Sequence, residues 1–180
     1  MISTPPTEVI FIGGRSGVGK STVASEASRI LAAHGIWHAV IEGDNLDQAY
    51  PEPWRDGIAL AEHNLAAMWS AYRVLGYHRL LFTNTVSITQ VAVLSAALGG
   101  EVRARSVLLT STDATAADRL SRREWGTSLD EHIARSGRAA AQLDAHTVDV
   151  RIATDGRTPD KIARDMLGAA GWLAAIDDRK

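Results

Sequence analysis

Eight consecutive residues carry the sharpest chemical signal in this chain of 180 residues. Gly14-Arg15-Ser16-Gly17-Val18-Gly19-Lys20-Ser21 fits the pattern G-x-x-x-x-G-K-[ST] without a mismatch. Glycines let the backbone N–H groups of such a segment turn inward and wrap phosphate oxygens. A helix starting near Lys20 adds its positive N-terminus. Lys20 supplies a mobile cation for β- and γ-phosphate oxygens. The Ser21 hydroxyl suits Mg²⁺, and Thr22 stands within reach of an α-phosphate.

The motif, with a strand before it and a helix after it, resembles the P-loop NTPase family. That resemblance implies ATP or GTP with Mg²⁺. Residues downstream of the motif separate kinases from switch or motor proteins. In P-loop ATPases and GTPases the third strand usually ends in an Asp that supports the metal. Here Arg79–Thr83 runs into Asn84-Thr85-Val86-Ser87, without an acid, and no Asn-Lys-x-Asp guanine signature is present.

Ile41-Glu42-Gly43-Asp44-Asn45 closes the second apolar run. It resembles the Asp-Gly-Asp-Asn stretch of adenylylsulfate kinases and the Glu-Gly-Asp stretch of gluconate kinases. The resemblance implies that Asp44 takes the proton of an attacking hydroxyl, or holds Mg²⁺ and the acceptor. Glu42 is expected as its supporting partner.

Arg119, Arg122 and Arg123 stand at i, i+3 and i+4, on one helix face. Nucleotide and metabolite kinases hold transferring phosphate with such lid arginines and close them over the site. Arg119 and Arg123 are favoured over Arg122 for this role. The polar, Gly-containing segment after them reads as the mobile part of a lid over roughly 119–138, with Arg135 and Arg138 adding charge. After the fifth strand, Asp155 and Arg157 belong to a loop that in kinases of this type lies against adenine. Both are taken as nucleotide contacts.

The acceptor side should lie between Asp44 and Gly76, with the end of the third strand. Asp47, Trp54, Arg55 and His63 are candidate contacts, joined by Asn84 and Thr85. Trp69 and Tyr72 are expected to pack their helix instead. The layout also resembles chloramphenicol phosphotransferases and tunicamycin-resistance proteins. Asp47 stands where adenylylsulfate kinases carry an Arg, and the Asp-Gly-hydrophobic-Pro-Arg run of adenylate-type kinases is absent. Both departures argue against those acceptors.

These residues need a scaffold that collects them on one side. Glu8–Ile12, Trp37–Ile41, Arg79–Thr83, Arg103–Leu109 and Val148–Ala153 read as strands. Lys20–His34, Ile58–Leu75, Ser87–Leu98, a stretch from Asp113 onward and Pro159–Ala175 read as helices. Thr112 or Asp113 and Thr158 are the expected N-caps, and Pro159 stands at the first helical position. Strands alternating with long helices predict βαβ units. The expected fold is α/β, a P-loop kinase-like three-layer sandwich with a five-stranded parallel sheet, as one domain over 1–180. Ligands bind such sheets beyond the carboxyl ends of the strands. That edge collects Gly13–Lys20, Glu42–Asp47, Thr83–Ser87, Ser111–Asp113 and Thr154–Arg157.

Composition agrees with this reading. Net charge is −2, with no general pull toward nucleic acid or an anionic membrane. Cysteine is absent, so thiolate chemistry and disulfides are excluded. No secretory signal or membrane-length apolar run is visible, and a cytoplasmic location is expected. Of 19 basic residues only Lys20, Lys161 and Lys180 are lysines, and one of the three occupies the phosphate loop. The expected function is ATP-dependent phosphotransfer to a hydroxyl of a small molecule: an antibiotic, or a nucleoside- or sugar-like metabolite. The chain is expected to act as a monomer or homodimer. The alternatives are an ATP-binding protein that sequesters its ligand with little turnover, or a partner-activated ATPase.

Overall fold

The computed structural model describes residues 5–122 and 128–173. Five strands form one parallel sheet: β1 Thr7–Gly13, β2 Ala39–Glu42, β3 Arg79–Thr83, β4 Val102–Thr110 and β5 Val150–Ala153. Their order is β2-β3-β1-β4-β5. The central strand, β1, is flanked on both sides, by β3 and β4. Its Val-Ile-Phe-Ile run is wholly buried, as a strand covered on both faces requires. Among the described residues six helices cover the sheet: α1 Lys20–Ala33, α2 Leu60–Val74, α3 Val91–Leu98, α4 Asp113–Ser121, α5 Ser128–Asp144 and α6 Pro159–Ala169. This is a P-loop kinase-like α/β fold. Among the described residues no helix is long and apolar enough to cross a membrane.

The period of two along each strand divides the core. Ile10 and Ile12 face one layer with Leu81, Val107, Leu109 and Ile152. There they meet Val23, Ala27, Ile30 and Leu31 of α1 and Ile162, Ala163 and Met166 of α6. Val9 and Phe11 face the other layer, with Leu80 and Phe82, against Leu65 and Trp69 of α2 and Leu94 and Leu98 of α3. Phe11 and Phe82 meet edge to face at 5.6 Å. Trp69 is buried as expected, and its indole N–H donates to Thr7 Oγ1 at 3.0 Å. Leu143 of α5 closes over Ile88 and Leu108. Asp149 ties β4 to the start of β5, accepting from the Ser106 N–H at 2.7 Å and its hydroxyl at 2.8 Å.

Several boundaries differ from expectation, among them the starts of α2 at Leu60 and β5 at Val150, each two residues later than read. β2 begins at Ala39, because Trp37 turns out to solvent and stacks on Tyr77. The helix expected over Ser87–Leu98 opens as a 3₁₀ turn at Ser87–Thr89, before α3. The last helix ends at Ala169, where Gly171 turns left-handed at φ 71°. The polar segment read as the moving part of a lid is in part the regular helix α5. Its half-buried and buried positions Ile133, Ser136, Gly137, Ala140 and Leu143 make one inward stripe, while Arg135 and Arg138 are exposed. Both N-cap expectations are met. Thr112 accepts from the Thr115 N–H and Thr158 from the Lys161 N–H.

Candidate active site

The carboxyl ends of β1, β2 and β3 lie in register, with Ile12 and Glu42 both opposite Thr83. The loop between β1 and α1 therefore opens beside the turn at the end of β2. Two of its glycines are dictated by close approach. A Cβ on Gly14 would lie 2.6 Å from the Leu109 carbonyl oxygen, and one on Gly17 would lie 2.8 Å from that of Ala116. Both also have positive φ, so only glycine fits this cradle. Val18 is completely buried and anchors the loop from below. The Gly14 N–H donates to the Thr85 carbonyl at 3.2 Å. Lys20 Nζ donates to the carbonyls of Gly14 at 2.8 Å and Arg15 at 3.3 Å, and to Thr85 Oγ1 at 3.4 Å. The ammonium thus sits inside the curve of the loop. Ser21 and Thr22 open to solvent on the first turn of α1.

Arg15 behaves differently from a phosphate ligand at a loop apex. Its side chain is 4% exposed. Nη1 pairs with Asp113 at the start of α4, and Nε donates to Ser136 Oγ on α5 at 2.9 Å. Ser136 is also buried, and its hydroxyl donates to the Ser16 carbonyl at 2.9 Å. The Arg15 guanidinium is therefore committed to clamping the loop against α4 and α5. Its place in a nucleotide contact is left to the backbone. Sequence reasoning missed Ser136, because it lies 120 residues along the chain from Ser16.

A cavity of about 240 Å³ opens beside the loop, lined by Gly17, Val18, Gly19, Thr22, Arg119, Thr154, Arg157 and Ile162 among others. Arg119 Nη1 donates to the Val18 carbonyl at 2.8 Å and Thr154 Oγ1 at 3.1 Å. It holds the loop to the end of β5 while forming part of the cavity wall. Arg157 lines the cavity and pairs with Asp165. Asp155 lies apart from it. Its carboxylate accepts from the Thr112 N–H at 3.1 Å and the Thr112 hydroxyl at 2.9 Å. Hydrogen bonds from the Thr115 hydroxyl and from Thr112 hold its pKa below the usual carboxylate value. Arg122 pairs with Asp118 at 2.9 Å on the exposed face of α4. Arg123 and its neighbours to residue 127 lie outside the described residues, so the expected lid is described only at its two helical ends.

Across from the phosphate loop, β2 ends in Glu42 and a 3₁₀ turn at Gly43–Asn45. A Cβ on Gly43 would stand 2.6 Å from Phe82 Cζ, so the turn lies tight against β3. Glu42 accepts from the Thr83 hydroxyl at 2.5 Å. Asp44 Oδ1 accepts from Asn84 Nδ2 at 2.9 Å, and Asn84 Oδ1 takes the Val86 N–H at 2.8 Å. Asp44 keeps one side open to solvent. Even so, burial of the rest pushes its pKa above the usual carboxylate value. The Lys20 ammonium pulls it down, and Glu42 and Asp47 push it up.

Beside Asn84 lies a second cavity, of about 430 Å³. Asp47, Trp54 and Asn84 line it, with Ile58, Glu62, Phe82, Gln90 and Leu94. Arg55, His63 and Thr85 do not. Arg55 pairs with Glu52 at 3.1 Å and stacks on Trp54, 4.7 Å from its ring centre. His63 is exposed, with Nδ1 2.7 Å from the Ala59 carbonyl oxygen. Thr85 belongs to the Lys20 contacts. Glu62 and Gln90 were missed, since single polar residues on α2 and after a turn carry no spacing signal.

Among the described residues no cluster of three or more His, Asp or Glu could hold a metal alone. The available donors, the Ser21 hydroxyl and the Asp44 carboxylate, are hard oxygens. They suit Mg²⁺, which commonly takes one or two protein ligands beside substrate phosphates.

A protein-family model described as adenylylsulphate kinase matches residues 6–53, the stretch that holds both the phosphate loop and Asp44. No curated protein matches the sequence. Among solved structures, a gluconokinase from Sinorhizobium meliloti 1021 matches at TM-score 0.59 and 21% identity, over 95% of this chain and 94% of that chain. The tunicamycin resistance protein of Deinococcus radiodurans matches at 0.63 and 17%, over 92% and 96%. The adenylylsulfate kinase of Mycobacterium tuberculosis matches at 0.52 and 20%, over 93% and 99%. The shared feature is the fold, that of P-loop small-molecule kinases.

Proposed function

We propose that this protein is an ATP-dependent kinase of a small molecule. One observation carries the reading: Lys20 in its glycine cradle and the Asp44–Asn84 pair meet on one sheet edge. One cavity opens beside the first and another beside the second. The 240 Å³ cavity is the place for the nucleoside, and the 430 Å³ cavity is the place for the acceptor.

In this reading the backbone N–H groups of Gly14 to Ser21 hold the phosphates, and Lys20 leaves its carbonyl partners for β- and γ-phosphate oxygens. Ser21 is the residue that would hold Mg²⁺, which when bound neutralises phosphate charge, while Asp44 is kept for the acceptor hydroxyl. Asp44, oriented by Asn84, takes the proton of the acceptor hydroxyl as its oxygen bonds to the γ-phosphorus. The bridging oxygen departs with ADP. Glu42 and Thr83 brace the turn that carries Asp44. Arg119 holds the loop and the nucleoside cavity in one geometry. The raised pKa of Asp44 suits a base, because a more basic carboxylate accepts a proton more readily.

The test is ADP release by the purified protein with ATP and Mg²⁺, across nucleoside antibiotics, aminocyclitols and sugar acids. Acceptor-dependent ADP that disappears in Lys20→Ala and Asp44→Asn supports the proposal. ADP release that no acceptor stimulates would mark an ATPase. Stoichiometric ligand binding without ADP would mark a sequestering protein.

A further inference from the structure

The acceptor cavity has an uneven chemistry. Among the described residues its charged lining consists of Asp47 and Glu62, and no Lys, Arg or His lines it. Both carboxylates are half-buried and make no ion pair with a described residue. The Arg55 guanidinium, beside Trp54, is engaged by Glu52 outside the wall. The remaining wall is apolar or neutral, with the Trp54 ring at the rim and Asn84 and Gln90 as neutral hydrogen-bonding groups. Asp44 adds a third carboxylate through its bond to Asn84.

An anionic acceptor entering here would meet the Asp47 and Glu62 carboxylates, with no cation among the described residues of the wall to receive it. A protonated amine would find the opposite: two carboxylates in no ion pair with a described residue, and an aromatic face, a combination that favours ammonium groups. The space, about 430 Å³, is that of a small polar organic molecule.

From this geometry we infer that the acceptor is a hydroxyl-bearing amine, such as an amino sugar or aminocyclitol, held through its ammonium by Asp47 and Glu62 with its hydroxyl toward Asp44. The inference rests on the kinase reading for the hydroxyl's role. The amine selectivity comes from the cavity wall itself. In the transfer the acceptor O–H proton goes to Asp44, the oxygen bonds to the γ-phosphorus and ADP leaves, so the ammonium is unchanged.

The experiment compares matched polyols of charge +1, 0 and −1: glucosamine, glucose and gluconate, with kanamycin as a larger polyamine. Binding to the protein loaded with AMPPNP is measured by calorimetry, and ADP release is measured separately with ATP. Trp54 fluorescence, taken as the difference from Trp54→Phe, is also quenched with caesium and with iodide. We expect the amines to bind about tenfold or more tightly than gluconate. Asp47→Asn/Glu62→Gln should abolish that preference while keeping AMPPNP affinity, which shows that the variant folds. Relative to the wild type, the double variant should show weaker caesium quenching and stronger iodide quenching of Trp54.

Gluconate binding as tightly as glucosamine, or a preference that survives the double variant, would overturn the inference. If no polyol binds, the quenchers decide it, and caesium and iodide quenching that are unchanged between the wild type and the double variant overturn it. Amine binding without ADP would keep the inference and sink the kinase reading. ADP release with gluconate but no amine would do the reverse.

Discussion

Asp44 is costly to the fold and useful to the proposed reaction for the same reason. Burial raises its pKa, so the folded state holds the proton to higher pH than the unfolded chain does. Stability linked to this group is therefore greatest at acid pH. It falls as pH rises from the ordinary carboxylate range through the raised folded value, and stays lost above it. Asp44→Asn should accordingly raise Tm at neutral pH, with the gain vanishing at strongly acid pH. The same variant should lower kcat by about 10²–10⁴-fold with ATP affinity nearly intact, since Asn cannot accept the proton. Calorimetry and steady-state kinetics on one preparation check both halves. In the wild type the acid limb of kcat/KM should lie above the usual carboxylate range. Removing the opposing cation, in Lys20→Met, should move the Asp44 titration seen by carboxyl NMR still higher. Lys20→Ala should itself cost about 10²–10³-fold in kcat, the scale of one lost electrostatic contact to the transferring group.

At the scale of elements, the phosphate loop is held from three directions: by β3 through Thr85, by β5 through Arg119 and Thr154, and by α5 through Ser136. Ser136→Ala removes one acceptor from buried Arg15 and one donor from the Ser16 carbonyl. It should cost about 1–3 kcal/mol in urea unfolding. It should also weaken nucleotide binding and speed amide exchange at Gly14 to Gly19, and unchanged exchange there would contradict the clamp. This element also shows where sequence patterns lose their force. The phosphate loop was legible because eight neighbouring positions specify it, and β3 because its five apolar-rich residues are bounded by turns. α5 was not. Its inward stripe uses Ser136, Gly137 and Ala140, small residues that raise no hydrophobic period, and Ser-Gly reads locally as a loop. The commitment of Arg15 was equally hidden, since its partners Asp113 and Ser136 are 98 and 121 residues distant. Cavity walls assembled from separate helices, as at Glu62 and Gln90, leave no local trace either.

For the molecule as a whole, two core layers share one sheet, and Phe11 on the central strand touches Phe82 of β3. The chain is proposed to unfold as one cooperative unit. Trp69→Ala empties the middle of the α2 layer and strands Thr7 Oγ1, and should cost about 3–5 kcal/mol. Coincident loss of far- and near-ultraviolet dichroism would show that both layers melt together. The parallel sheet was readable in advance, because short apolar runs such as Val9–Ile12 and Leu80–Phe82 alternate with longer helical patterns. The edge proposed here for the ligands follows from topology.

β2 is the shortest strand of the described sheet together with β5, and it lies at the margin, four residues long. The phosphate loop grows from the centre. Residues 45–59, which run on from Asp44 and build much of the proposed acceptor wall, hang from that margin. Insertions and deletions there disturb one short strand and leave the central cradle intact. The fold thus separates a half built on the central strand from a half built on a marginal one, so the proposed acceptor wall can change while the proposed phosphate cradle stays as it is.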